Sequence, residues 1–222
     1  MLEREPKFES TARHGHDLFE LTSKEKQALQ ERIEKWQGLV RIFVHPMYEK
    51  WRGNESEYIN DPDNQKLVQI EEVLSKLLAM PENKTPPIVI MEERVFIKEL
   101  EKWLKENSQG SSQEGVYFVK TCRDDPTPKL RKITTDPWKL LTEILRGLGV
   151  RKILIGGMQL GVLWHKKDWT QKDPFLERCV GIAISHLSKD KGGEFEVELS
   201  ALTHPTNERE SFISHQRSNN NK

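Results

Sequence analysis

The chain has no net charge to speak of, because Lys plus Arg number 35 and Asp plus Glu number 35. Balanced charge removes the overall attraction that draws proteins to nucleic acid or to an anionic membrane. Nucleic-acid binding is therefore disfavoured, and only two small basic spots remain, KLRK (129–132) and HKKDW (165–169). Cysteine is scarce: Cys122 and Cys179 are the only two. Both adjoin segments that read as core, which argues against a disulfide framework and for a reducing compartment. No run of about 18 apolar residues occurs, so no membrane-spanning segment and no membrane partner is expected. The start, MLEREPKFES, is charged where a secretory signal would carry its apolar stretch, and the expected location is cytoplasmic. Metal-ligand spacings such as HxxxH and CxxC are absent, as are GxGxxG and the Walker loop. Zinc is thus not expected, and no cofactor can be named.

What is present is an alternation. Polarity without period marks residues 1–18 and 206–222 as flexible ends around a single domain at 19–205. Thr22 stands three residues before Glu25 in the capping-box arrangement, which predicts a peripheral helix over 23–36 that Gly38 stops. From Leu39 onward five short apolar runs follow: LVRIFV (39–44), PIVIM (87–91), VYFV (116–119), KILI (152–155) and EFEVEL (194–199). Between them lie helix-period stripes, namely Leu67, Ile70, Leu74 and Leu77; Phe96, Leu100, Trp103 and Leu104; and Trp138, Leu141, Ile144, Leu145 and Leu148. Asp136-Pro137 and Asp173-Pro174 each place a capping carboxylate before a proline suited to the first helical position. The pattern predicts an α/β, Rossmann-like fold: three layers, a doubly wound, mainly parallel five-stranded sheet, and an N-terminal peripheral helix. In EFEVEL, apolar residues alternate with glutamates, so this strand belongs at a sheet edge.

In such sheets ligands bind beyond the carboxyl ends of the strands, where the strand order reverses. With the common order 3-2-1-4-5, the segments 45–62 and 156–172 would meet there, and both are long for βα connections. They and their neighbours gather His45, Tyr48, Trp51 and Arg52; Glu92, Glu93 and Arg94; Lys120, Cys122, Arg123, Asp124 and Asp125; and Gly156, Gly157, Gln159, Gly161 and His165. His45 is a candidate acid or base, or else a hydrogen-bonded loop residue next to Pro46. Lys120 and Arg123, beside Asp124 and Asp125, suit an anionic group or a catalytic acid and base pair that includes Lys120, or else a solvated, self-neutralising loop. Gly157, with Gly156 and Gly161, would let the backbone approach an anion, or only turn tightly. Tyr48, Gln159 and Trp164 complete the ligand-binding candidates. Trp51, Trp164 and Trp169 could cover an apolar ligand or staple the loops to the body. Glu92, Glu93 and Arg94 read as a helix start, where acidic side chains suit the dipole.

Lys120 at the end of the third strand, the strand-turn ILIGGMQ (153–159), and Cys179 followed by VGIAISHL occur in an order that resembles the isochorismatase-like cysteine hydrolases. The resemblance spans roughly residues 39 to 202. It implies this fold class, attack on an amide or related bond by an aspartate, a lysine and a cysteine, and Lys120 and Cys179 as two of the three. Where that family's aspartate follows the first strand, this chain has His45; Glu49 and Asp61 lie further along. Reading the residues alone, a helix starting at Pro174 puts Cys179 sixth in it, flanked by Val180, Ile182, Ala183 and Ile184. That setting predicts a buried, inert thiol.

Three functions remain open on these grounds. The first is a domain that binds or transforms a small molecule, with an anionic one suited to the basic candidates, at the carboxyl edge of the sheet. The second is the cysteine hydrolase. The third is a non-catalytic interaction module using the long loops. Oligomeric state is not legible.

Overall fold

The computed structural model describes residues 15–46, 62–107, 115–122, 125–130, 136–157, 179–189, 192–200 and 203. In chain order these form β1 (His16–Asp17), α1 (Ser23–Lys35), β2 (Leu39–Val44), α2 (Pro62–Ala79), β3 (Ile88–Glu93), α3 (Ile97–Asn107), β4 (Val116–Cys122), β5 (Asp125–Pro128), α4 (Pro137–Gly147), β6 (Lys152–Gly157), α5 (Cys179–Leu187) and β7 (Glu196–Leu199). Short 3-10 turns follow β1 and α2. The expected α1 ends within a residue of the observed one. Thr22 Oγ1 accepts the Glu25 N–H at 3.3 Å, and Glu25 accepts the Thr22 N–H at 2.7 Å, so the capping box forms as the spacing predicts. Asp136 likewise caps α4 by accepting the Trp138 N–H at 2.9 Å, with Pro137 at the first position. Asp173-Pro174 lies outside the described residues.

The strands hydrogen-bond in the order β1-β4-β3-β2-β6-β7, with β5 on β4. Every pairing on that path is parallel, and only β5 runs antiparallel to its neighbour. The five runs of the sequence thus take the order 3-2-1-4-5, and β7, the EFEVEL strand, ends the row with its glutamates exposed and Val197 and Leu199 buried.

The sheet has seven described strands rather than the five expected. The two additions share one edge of β4: β1 pairs with Tyr117 and Phe118, and β5 pairs with Thr121 and Cys122. Neither carries a strand pattern. β1 is two residues long, and β5 is DPTP, whose prolines cannot donate to a ladder and are tolerated only where one side of the strand is free.

Alternate strand residues feed two apolar clusters. Val40, Ile42, Val44, Val89, Met91, Tyr117, Val119, Ile153 and Ile155 pack with residues of α1, α4 and α5. Phe43, Ile88, Ile90, Val116 and Phe118 pack with residues of α2 and α3. Each fully buried aliphatic side chain contributes roughly 1.5–3 kcal/mol, so these clusters are what hold the carboxyl edge in place. Three strands run further than their apolar runs: β3 through Glu93, β4 through Cys122 and β6 through Gly157. Glu92 and Glu93 are consequently buried strand residues, not the first turn of a helix. Parallel pairing to β4, Glu92 with Lys120 and Glu93 with Thr121, holds β3 extended past the point where its hydrophobicity stops.

Candidate functional site

The site is built on the carboxyl ends of β2, β3 and β4 and on α5. β2 is in register with β6 from Leu39–Lys152 to Val44–Gly157, so the two strands leave the sheet side by side where the order reverses. Residue 45 is the first beyond β2. Its backbone is left-handed, with φ 46°, and its N–H donates to Met91 O at 2.8 Å. A non-glycine residue held in this region costs about 1–3 kcal/mol and persists only where its surroundings enforce it. The turn carries the imidazole of His45 into the fold, where it is 1% exposed.

Both ring nitrogens of His45 have side-chain neighbours. Nε2 lies 2.9 Å from Thr121 Oγ1 on β4, and Nδ1 lies 3.2 Å from Cys179 Sγ on α5. With the proton on Nε2, that N–H donates to Thr121 and the thiol donates to Nδ1; with the proton on Nδ1 the directions reverse. Cys179 is partly exposed. The arrangement is a thiol in hydrogen-bond reach of a base whose far side is held by a third group, which is the geometry that activates a nucleophile.

Cys179 is therefore not the buried thiol expected. Val180, Ala183, Ile184 and Leu187 point into the core, and Cys179 stands at the flank of that stripe, packed against it with one side open. A helix with 3.6 residues per turn turns its neighbours away from one another, so apolar residues next in sequence do not bury a thiol.

Lys120 was expected to share a crevice with His45, and it does not. β4 continues through Cys122, and successive residues of a strand point to opposite faces. Thr121 thus points with Tyr117 and Val119 toward His45, while Lys120 points with Val116 and Phe118 to the other side. There its Nζ donates to Asp17 Oδ2 at 2.7 Å, an ion pair with β1. Gly157, expected in the loop after the fourth run, is instead the last residue of β6 and has φ 146°. A side chain there would run into Val44 O and meet Val180 Cγ2 at 3.0 Å, so glycine is required by the closeness of β2 and α5. Its demonstrated role is this close approach. Tyr48, Arg123, Gln159 and Trp164 lie outside the described residues, as do Trp51, Arg52, Asp124, Gly161, His165 and Trp169.

Thr121 is the residue that sequence reasoning missed. Its signal was the alternation of Tyr117, Val119 and Thr121, hidden because the apolar run stops at Val119. Among the described residues no group of three or more His, Cys, Asp or Glu side chains could hold a metal ion. No described helix is long and apolar enough to cross a membrane. Compared with family models, with curated proteins and with solved structures, the chain matches none.

Proposed function

We propose that this domain transforms a small molecule by nucleophilic attack from Cys179, with His45 as its general base, at the carboxyl edge of the sheet. One observation carries the reading: the 3.2 Å approach of Cys179 Sγ to His45 Nδ1, across 134 residues of sequence, with Nε2 engaged by Thr121. A thiol attacks as its thiolate, and a base at this distance takes the proton. The electrophile suited to such a pair is the carbonyl carbon of an amide, ester or thioester. Sulfur bonds to that carbon, the thiol proton passes to His45, and the leaving group departs with that proton. Water then releases the acyl group and restores the thiol. A reduced cysteine is needed throughout, which fits a reducing, cytoplasmic setting.

The supporting fold is the three-layer, doubly wound arrangement, in which ligands sit where the strand order reverses. The two apolar clusters of the sheet, each shared with different helices, favour it. The isochorismatase-like hydrolase is a narrower form of the same reading. What favours it is that Cys179 meets the residue following the first strand of the βα series, where that family has its aspartate. What weighs against it is Lys120, which bonds Asp17 on the other side of the sheet.

Alkylation of the folded protein, followed residue by residue by mass spectrometry, tests the pairing, and Cys122 serves as an internal reference. A thiol activated by a neighbouring base should react at neutral pH about tenfold or more faster than an ordinary one. His45→Asn should abolish that advantage, since asparagine tolerates the left-handed backbone. If Cys179 reacts no faster than Cys122, and the variant changes nothing, the pair is structural only.

A further inference from the structure

A buried histidine that takes a proton becomes a buried cation, and such an ion is costly unless an opposite charge faces it. Glu93 is placed to supply one. It continues the row of Val89 and Met91, which belong to the same cluster as Tyr117 and Val119, and it is the register partner of Thr121. It is 2% exposed. The path of the imidazole brings it there. β3 lies between β2 and β4, and strands are about 4.8 Å apart, so β2 and β4 are separated by roughly 10 Å. His45 starts beside Met91, to whose carbonyl its N–H donates, and ends at Thr121, whose partner is Glu93. Its ring therefore crosses β3 over the stretch from Met91 to Glu93.

We infer that Glu93 is the positioning residue of the cysteine–histidine pair: its carboxylate, beneath the imidazole, holds the ring in place and stabilises the protonated form that accompanies the Cys179 thiolate. This rests on the nucleophilic reading of Cys179 and deepens it. Other described groups lie on this side as well. β4 contributes Thr121 and, four residues back along the strand, Tyr117; β1 contributes His16, which lies against Tyr117 and 2.8 Å from Glu25 of α1; α5 contributes Cys179 and, two turns further on, His186, which stacks on Trp138; β6 ends in Gly156 and Gly157, which bring no charge. Glu92, one residue earlier and also buried, sits at the register position of Lys120, and its Oε1 accepts the Glu93 N–H at 2.9 Å, so its carboxylate is engaged by the backbone.

The test is the pH dependence of Cys179 alkylation in the wild type, in Glu93→Gln and in Glu93→Asp, with melting curves showing each variant folded. In the wild type the rate should already be near its plateau at pH 7. In Glu93→Gln the profile should move up toward that of an ordinary thiol, midpoint ~8.5, with a loss of about tenfold in rate at pH 7 for each unit of displacement. Glu93→Asp keeps the charge and shortens the reach, and should fall between the two; it is the deciding variant if Gln does not fold. Cys122 should keep one profile in all three. A wild-type Cys179 profile like that of Cys122 overturns the nucleophilic reading itself. A wild-type profile displaced downward and unchanged in the folded Glu93 variants overturns the role of Glu93 alone and leaves the pair standing.

Discussion

Lys120 and Thr121 are consecutive residues of one strand, and they serve opposite sides of the sheet. Lys120 holds Asp17 and so ties β1 to the edge of β4, whereas Thr121 holds His45 and so completes the arrangement around Cys179. The same division recurs at β1. Asp17 reaches Lys120, while His16, one residue earlier, lies 2.8 Å from Glu25 at the cap of α1. Neither division is set by residue type, since all four side chains are polar and would read alike as edge-of-sheet candidates. Strand alternation decides it, and one residue of register separates the tether to Asp17 from the contact to His45.

Substitution can test this division, and the largest effect should come from the paired glycines of β6. Gly157→Ala forces a side chain against Val44 O and Val180, at a backbone angle that suits glycine, and should cost about 3 kcal/mol, or roughly 10 °C in melting temperature. Gly156→Ala meets the Thr203 hydroxyl on a side chain that can turn away, so thermal melting should show a clearly smaller loss. Equal losses would break the two-sided account. Next, Thr121→Val removes the partner of His45 Nε2 and should cost about 1–2 kcal/mol in denaturant unfolding, together with a several-fold slowing of Cys179 alkylation.

Thr22→Ala should cost about 1 kcal/mol through the cap. Its pH dependence follows from Glu25, whose carboxyl is held below the usual carboxylate range, first by the Thr22 hydroxyl, then by the Thr22 N–H, with a smaller contribution from His16. A folded-state value lowered in this way gives stability that is present above the unfolded value of ~4.3 and is lost as pH falls through the lower, folded one. The penalty of Thr22→Ala, followed by urea unfolding at a series of pH values, should therefore shrink below about pH 4. The smallest effect belongs to Lys120→Met. A partly exposed ion pair is worth at most about 1 kcal/mol, and the alkylation rate of Cys179 should not change. A slowing equal to that of Thr121→Val would place Lys120 in the site after all.

Much of the fold was legible because it rests on local chemistry. The first run, 39–44, matches β2 residue for residue, the two described caps formed as their spacing required, and the glutamate alternation of the last run marked an edge strand. Strand ends were less legible. Glu92, Glu93, Lys120, Thr121 and Cys122 look like loop residues by composition, and only ladder pairing to neighbouring strands keeps them extended. β5 violates strand propensity outright and exists because the end of β4 offered it an edge. In the candidate site, His45 was found from its position after a strand. The apolar sequence neighbours of Cys179 mislead because a helix turns them to another face, and Thr121 lies beyond the apolar part of its strand.

By itself, then, the amino-acid sequence determined the alternation of strands and helices, the capped helix starts and the residues beyond the first strand as the place to look. Those properties depend on side-chain pattern over a few turns or a few strand residues. Only the tertiary structure decided that His45 turns inward, that Thr121 and not Lys120 faces it, and that Cys179 arrives 3.2 Å away from 134 residues further along the chain. Contacts of that kind depend on register and on which helix covers which face, quantities carried by long-range packing and by no short stretch of sequence.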